Sequence, residues 1–118
     1  MSQHDDLVRL RHMLDHAREA AALVRGRSRK DLDANRVLSL ALVRLLEIVG
    51  EAANRVSEDA RSRHSGIGWP QIISLRNRLV HGYDSIDMDI LWQILQKDIP
   101  LLITRLEKIV PPESLPAP

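Results

Sequence analysis

The sequence predicts a single all-α domain, and three observations support this fold class. Apolar residues recur at three- and four-residue steps through most of the 118 residues, which is the spacing of one face of an α-helix. No segment is a candidate β-strand, and glycine and proline interrupt the helical pattern at only a few points. We therefore predict an up-and-down helical bundle with short connections over residues 1–110, followed by a Pro-rich, flexible tail over residues 111–118.

The first helix is predicted over residues 2–24. Its apolar stripe consists of Leu10, Leu14, Ala17, Ala21 and Val24. The segment RGRSRK, residues 25–30, then breaks the pattern with a glycine and several charges. Asp31 or Asp33 is suited to cap the helix that follows, because a short acidic side chain accepts hydrogen bonds from the first free N–H groups.

A long second helix is predicted over residues 33–62. Its apolar stripe consists of Leu38, Leu42, Leu45, Val49, Ala52 and Val56, and is widened by Ala41, Leu46 and Ala53. So broad a face on a small protein exposes more apolar surface than two or three neighbouring helices cover. We therefore predict a homodimer that forms along the long helices.

The third helix is short and opens at Trp69-Pro70, after the glycines of HSGIG at residues 64–68 end the second helix. Proline suits the first turn, where its missing N–H costs nothing. Gly82 is predicted to cap the C-terminus, because glycine accepts a positive φ. The inward positions are Ile72, Leu75 and Leu79.

The fourth helix is predicted to begin after Asp87, which can act as its N-cap. Its apolar positions are Ile90, Leu91, Ile94, Leu101, Leu102 and Ile109. Pro100 removes one backbone hydrogen bond and should bend this helix. Trp69 and Trp92 are expected to bury their rings in the core or at the dimer interface.

The stretch RNRLVHGY, residues 76–83, places Arg76, Asn77, His81 and Tyr83 close together near a helix end. Residues five apart on a helix diverge by about 140°, so Arg76 and His81 do not meet on one regular helix. Asn77 and His81 share a face, and the amide can orient the imidazole. Arg78, three residues before His81, is either an additional phosphate contact or solvent-exposed.

Two copies of this helix near a two-fold axis would bring two histidines and two arginines into one cleft. That set of groups suits metal-free RNA cleavage, with one histidine as base, the other as acid, and arginine stabilising the negative charge on phosphorus. The structural alternative is that His81 favours the negative end of the helix dipole and that Arg76 binds the last carbonyls.

Three blocks carry a resemblance to a known family. They are RLLEIVGEAANRVS at residues 44–57, GWPQIISLRNRLVHGYDSID at 68–87 and DILWQILQKDIPLLI at 89–103. Over residues 6–110 the chain resembles the HepT-like branch of the HEPN superfamily. The motif of that family, an arginine with a following polar residue and then histidine, one residue and tyrosine, matches Arg76, Asn77, His81 and Tyr83.

The resemblance implies a homodimeric four- to five-helix bundle of the HEPN type. It implies a toxin of a type II toxin–antitoxin pair, a metal-independent endoribonuclease acting on tRNA or mRNA through Arg76 and His81. Asn77, from its position in the motif, and Arg78, from its spacing to His81, are expected to support these two residues. It also implies a minimal nucleotidyltransferase antitoxin that adenylylates Tyr83.

Three alternatives to this interpretation stay open. The chain could be a non-catalytic helical binding partner of a nucleotidyltransferase, or a dimerisation module with a vestigial site. Tyr83 could instead pack or hydrogen-bond at the dimer interface.

Other charged residues give weaker signals. His12 and His16 have the i, i+4 spacing of metal ligands, but no further ligand is tied to them and a solvated polar face explains the pair, so we expect no metal or cofactor. Glu47 and Glu51 recur in the family-like block, and Glu51 is expected to pair with Arg76 or Arg55. The basic residues of the 25–30 segment could attract RNA phosphates, although a solvated linker is the simpler interpretation.

Composition bounds the remaining possibilities. The net charge of +1 gives no overall attraction to nucleic acid, and the absence of cysteine excludes disulfides and thiolate metal sites. The N-terminus lacks an apolar run, and no stretch approaches the roughly 20 apolar residues that span a bilayer. We expect a cytoplasmic protein without a membrane partner.

Overall fold

The computed structural model describes residues 2–112 and confirms the all-α fold class. Its helices are α1 (Gln3–Val24), α2 (Arg29–Ala34), α3 (Arg36–Asn54), α4 (Glu58–Arg63), α5 (Trp69–Ile73), α6 (Leu75–Leu79), α7 (Met88–Gln93) and α8 (Ile99–Glu107). A π-helical segment, Ile94–Asp98, joins α7 to α8. Within the described range there is no β-strand, only an isolated bridge between Val80 and Ile86.

Helix α1 packs along α3 and α8 and buries the face that the sequence predicts, including Leu10, Leu14 and Ala17. A reciprocal capping box begins it: the Asp5 N–H donates to Ser2 Oγ at 3.1 Å, and the Ser2 N–H donates to the Asp5 carboxylate at 3.4 Å. Two of the free N–H groups at the helix start are thereby satisfied. The predicted bounds of the first helix are confirmed.

The prediction of one long second helix is wrong, because α2, α3 and α4 occupy that stretch. Asn35 ends α2 and caps α3 by accepting from the Leu38 N–H at 3.0 Å, and Ser57 caps α4 by accepting from the Ala60 N–H at 3.2 Å. Asp31 does not cap a long helix but closes a capping box with Ser28 at the start of α2. Short polar side chains compete for backbone groups and so divide the helix, although the apolar stripe continues.

The break between α3 and α4 is fixed by Asp6 of α1. Its carboxylate is only 5% exposed and accepts from the Ser57 N–H at 2.9 Å and the Ser57 hydroxyl at 2.7 Å. Burial acts to raise the pKa of Asp6, but the hydrogen bonds from Ser57 outweigh it and hold the pKa below its ordinary value. This contact ties the start of α1 to a turn that is 51 residues away in sequence.

The third predicted helix is divided at Ser74 into α5 and α6, and its inward side chains are buried as predicted. Trp69 is also buried, and its indole N–H lies within hydrogen-bond distance of the His64 and Arg61 carbonyls, at 3.1 and 3.2 Å. Helix α5 lies close to α3 at Gly50, where an added Cβ would come 3.1 Å from the Ile72 carbonyl oxygen. Glycine at position 50 therefore lets the α5–α6 segment approach α3 closely.

Helix α6 ends at Leu79, so the prediction that Gly82 caps it is wrong. Val80 is the C-cap, and Gly82 has a φ of +80° in the loop that follows. The bridge from Val80 to Ile86 closes this loop, and within it the His81 N–H donates to the Ser85 carbonyl at 2.7 Å. The positive φ expected of glycine is thus used in a turn rather than at a helix end.

The last predicted helix is confirmed as a nearly continuous run. Asp87 caps it, accepting from the N–H groups of Asp89 and Ile90 at 3.0 Å each. The disruption expected at Pro100 is accommodated by the π-helical segment before it, since proline lacks an N–H and crowds the carbonyl four residues earlier. Leu101, predicted to point inward, is 50% exposed.

No helix within residues 2–112 is long and apolar enough to cross a membrane. Of the predicted tail at 111–118, residues 113–118 lie outside the described residues.

Candidate active site

The predicted site residues lie at the end of α6 and in the 80–87 loop. Arg76, Asn77, His81 and Tyr83 are all exposed on the surface of a single chain. Because α6 ends at Leu79, His81 does not share a helical face with Asn77, and no hydrogen bond joins the two side chains. The orienting role predicted for Asn77 therefore has no contact to support it within one chain.

Arg76 is held by a glutamate of α3. Its Nε lies 3.2 Å from Oε2 of Glu47, whose side chain is 22% exposed against 64% for the arginine. The less exposed carboxylate fixes one edge of the guanidinium. In the described part of the chain neither Nη group of Arg76 has a hydrogen-bond acceptor, so both are available to an oxyanion such as a phosphate.

The glutamate that contacts Arg76 is Glu47 and not the predicted Glu51. Glu51 lies 3.9 Å from Arg44 and does not pair with Arg76 or Arg55. The family-like block 44–57 contains both glutamates, and sequence gives no means of choosing between them. Only the packing of α6 against α3 selects Glu47.

His81 faces an acidic residue that the sequence analysis assigned only as a cap. Its Nε2 lies 3.8 Å from Oδ2 of Asp87, and its side chain is 59% exposed. That distance is too long for a hydrogen bond, but it permits an electrostatic contact when the imidazole is protonated. The carboxylate thus caps α7 through one oxygen and turns the other towards the histidine.

Arg78 forms an ion pair within the fold and does not project freely from the surface. Its Nη1 and Nη2 donate to the two oxygens of Asp98 at 2.9 and 3.4 Å, and the side chains are 30% and 20% exposed. The pair ties α6 to the π-helical segment. In a single chain, Arg78 is therefore neither fully exposed to solvent nor free to bind a phosphate.

Tyr83 projects fully into solvent at the edge of a groove of about 350 Å³. The apolar part of this groove is lined by Leu32, Leu40, Val43, Ile86 and Met88. On α3, Val37 and Leu40 are 78% and 52% exposed. Exposed apolar side chains therefore lie beside the loop that carries the tyrosine.

His12 and His16 do not form a metal site with a third ligand. The Nδ1 of His16 lies 2.7 Å from the His12 carbonyl, and the two rings meet edge to face at 6.3 Å. Across residues 2–112 no group of three or more histidine, aspartate or glutamate side chains is arranged to hold a metal ion.

Comparison with known proteins identifies the family. A model described as "Ribonuclease HepT-like" matches residues 13–109. The chain belongs to this family. The match covers α2 to α8 in full and includes every residue of the candidate site, so ribonuclease is the activity to which the HepT-like family model points.

Individual relatives agree with this assignment. The chain is 34% identical over 105 residues to "Putative RNase TTE0752" of Caldanaerobacter subterraneus subsp. tengcongensis, covering 89% of this chain and 94% of that protein. It is 31% identical over 100 residues to "Probable ribonuclease HepT" of Thermococcus cleftensis, covering 81% and 91%. It is 30% identical over 107 residues to "Putative RNase MJ1380" of Methanocaldococcus jannaschii, covering 91% and 98%. No solved structure matches the HepT-like chain.

Proposed function

We propose that this HepT-like protein is the toxin of a type II toxin–antitoxin pair, a metal-independent endoribonuclease that cleaves cytoplasmic RNA. The observation that carries the proposal is the exposed motif of Arg76 and His81 in a chain of the ribonuclease HepT-like family. Glu47 fixes the guanidinium of Arg76 through Nε, and both Nη groups can then bind the phosphate that is cleaved.

The proposed reaction needs two imidazoles in opposite protonation states. A neutral His81 removes the proton of the ribose 2′-hydroxyl, whose oxygen attacks phosphorus. The bond from phosphorus to the 5′-oxygen breaks as a protonated His81 of the second copy donates its proton to the leaving oxygen. The products are a 2′,3′-cyclic phosphate and a 5′-hydroxyl, and Arg76 stabilises the negative charge that develops on the phosphoryl oxygens.

A homodimer is part of this proposal, since each chain carries one Arg76 and one His81. The exposed apolar side chains Val37 and Leu40 support an interface along α3, because Leu40 lines the groove at the edge of which Tyr83 lies and Val37 lies three residues before it on the same helix. A charged residue at both positions should yield monomers in analytical ultracentrifugation and abolish cleavage. A doubly charged variant that stays dimeric would refute this choice of interface.

Neutralisation is proposed to occur at Tyr83. A nucleotidyltransferase antitoxin would join the phenolic oxygen of Tyr83 to the α-phosphate of ATP and release pyrophosphate. The full exposure of the side chain supports this role, because an acceptor must reach the active site of another enzyme. The added phosphate and base would then obstruct RNA beside His81.

Cleavage of tRNA and total RNA in excess chelator tests the proposed activity. The wild-type protein should cleave, whereas Arg76→Ala and His81→Ala should not, with unchanged helical circular dichroism and unchanged dimerisation. Cleavage by the His81→Ala variant would remove that residue from the mechanism. Failure of the folded wild-type protein to cleave any RNA would refute the nuclease proposal.

The exposure of Tyr83 also favours a second candidate, a non-catalytic binding partner of a nucleotidyltransferase. Intact-mass measurement after incubation with that enzyme and ATP tests it, with Tyr83→Phe as the control. An adenylylated protein with no nuclease activity would favour this candidate. An unchanged mass would exclude Tyr83 as the acceptor.

A further inference from the structure

The basic residues of the segment between α1 and α2 differ in whether they form ion pairs. Its four basic residues are Arg25, Arg27, Arg29 and Lys30. Only Arg29 is neutralised: its Nη1 contacts Asp33 and its Nε contacts Asp89, both at 2.9 Å. These contacts raise the pKa of the Arg29 guanidinium, and the Asp89 hydrogen bond is the larger cause.

The other three cations are exposed and have no carboxylate partner among residues 2–112. Arg25, Arg27 and Lys30 therefore leave a cluster of three uncompensated positive charges on one short segment. The remaining residues of the segment are Gly26 and Ser28, so it offers no apolar anchor to a protein partner. Its charge suits a polyanion instead.

The contacts of Arg29 hold this cluster next to the candidate site. Its partner Asp89 lies in the first turn of α7, where the Asp89 N–H donates to Oδ1 of Asp87 at 3.0 Å. The second oxygen of Asp87 faces His81 at 3.8 Å. Arg36, at the start of α3, lines the groove together with Tyr83, but Asp33 and Asp84 line it too, so the groove itself adds no net positive charge to the basic segment.

We propose that Arg25, Arg27 and Lys30 form a docking surface for the RNA backbone, which Arg29 holds against α7 beside the candidate active site. This inference rests on the proposed ribonuclease function and names where its substrate binds. Phosphates of the RNA strand beyond the cleaved bond would lie along the segment, while the cleaved phosphate reaches Arg76. The contacts are to phosphate, so the surface should add affinity without base specificity.

The salt dependence of RNA binding tests the proposal. The probe is a fluorescently labelled single-stranded RNA with 2′-O-methyl groups, which cannot be cleaved by attack of a 2′-hydroxyl. In the variant Arg25→Gln, Arg27→Gln, Lys30→Gln, the slope of log Kd against log salt should fall by about 2, since each phosphate contact on a single strand contributes about 0.7. The Kd at 0.1 M salt should rise on the order of tenfold to a hundredfold.

A control variant with the same net charge distinguishes the effect of this surface on RNA binding from the effect of overall charge. The control variant carries Arg18→Gln, Arg63→Gln and Lys108→Gln, which remove the same number of positive charges from α1, α4 and the end of α8. The ion pairs of Arg18 with Glu107 and of Arg63 with Asp59 are exposed, and the charge of Arg63 is only a minor influence on Asp6, so the fold should tolerate their loss. The control should change the slope and the Kd much less than the segment variant.

The outcomes separate this inference from the proposed activity. A wild-type slope and Kd in the segment variant, or an equal loss in the control, would overturn the docking surface while leaving the nuclease proposal intact. Failure of the wild-type protein to bind the RNA probe would also overturn the docking surface. So would a segment variant that binds RNA as the wild type does but loses affinity for the antitoxin. RNA binding with the expected slope change but without cleavage would support the surface and refute the nuclease.

Discussion

Replacing Asp6 should destabilise the fold more than its position near the N-terminus suggests. The Asp6 carboxylate is 5% exposed and accepts hydrogen bonds from both the backbone N–H and the hydroxyl of Ser57. The variant Asp6→Ala deletes this acceptor and leaves the two donors in a partly buried turn. The contact between α1 and the turn from α3 to α4 is lost with it.

The size of the effect follows from these two bonds. Hydrogen bonds to a charged group contribute about 1.5–3 kcal/mol each, and the two at Asp6 share one carboxylate. Ser57 keeps its own cap of α4 through Ala60. We expect a loss of about 3 kcal/mol in the free energy of unfolding, which lowers Tm by about 12 °C for a domain of this size.

Thermal unfolding followed by circular dichroism measures this loss, with Asp5→Ala as the matched control. Asp5 lies one residue earlier and caps the exposed start of α1. Its replacement should lower Tm far less. Equal losses of Tm in Asp6→Ala and Asp5→Ala would show that the buried contact between Asp6 and Ser57 has no special role in stability.

The lowered pKa of Asp6 also fixes the direction of a pH effect. A group with a lowered pKa in the folded state stabilises the protein above its ordinary pKa of 3.8, and this contribution is lost as the pH falls through the folded value. The difference in Tm between wild type and Asp6→Asn should therefore be largest above about pH 5 and shrink in acid.

Three further predictions follow from contacts near the site. Gly50→Val should lower the free energy of unfolding by about 1–3 kcal/mol in urea titrations, because its side chain would press on the Ile72 carbonyl that already lies close to that position. Arg78→Ala should cost about 1–2 kcal/mol, since it leaves the Asp98 carboxylate, 20% exposed, without its partner. Glu47→Ala should change stability by less than about 1 kcal/mol but lower kcat for RNA cleavage about tenfold, because the motif arginine loses its fixed orientation.

Each of these has a control within the chain. Gly66→Val should be neutral, because an added Cβ there meets nothing within 4 Å. Adding Asp98→Ala to the Arg78 variant should recover stability, whereas a further loss would mean that the carboxylate has another role. Glu51→Ala removes an acidic side chain one turn further along α3 that does not contact Arg76, and should leave kcat unchanged. A loss of kcat equal to that of the Glu47 variant would point to surface charge rather than to orientation.

The sequence predicted the helical stripes better than the helix ends. The stripe from Leu38 to Val56 is buried almost as predicted, yet α3 ends at Asn54, and caps at Asn35 and Ser57 divide the predicted helix on either side of the stripe. The periodicity of apolar residues predicts which face of a helix is buried. It does not reveal a helix break at a capping residue when the apolar residues on both sides of the break still face the core. The decisive contact at the second break comes from Asp6, and its distance in sequence makes it invisible to local pattern analysis.

The assignment of the site residues stays a prediction, and the structure adds the side chains that face them. The motif residues are exposed near the end of α6, as their chemistry requires. What escaped prediction are the carboxylates that face them, Glu47 for Arg76 and Asp87 for His81. Glu47 contacts Arg76 across the packing of α6 on α3, next to the close approach at Gly50, and no spacing rule encodes that packing.

The side chains of Arg76 and His81 differ in how well contacts within one chain fix their orientation. Arg76 projects from a helix and is fixed through Nε by the largely buried Glu47. His81 lies in a loop, where its backbone is bonded to Ser85 but its imidazole has only a carboxylate beyond hydrogen-bond distance. General acid–base catalysis needs an imidazole of defined orientation. In the proposed nuclease, bound RNA or the second copy of the chain must therefore supply the orientation of the His81 imidazole. The Arg76 guanidinium is already oriented in the monomer, whereas the His81 imidazole becomes oriented only in the assembled complex.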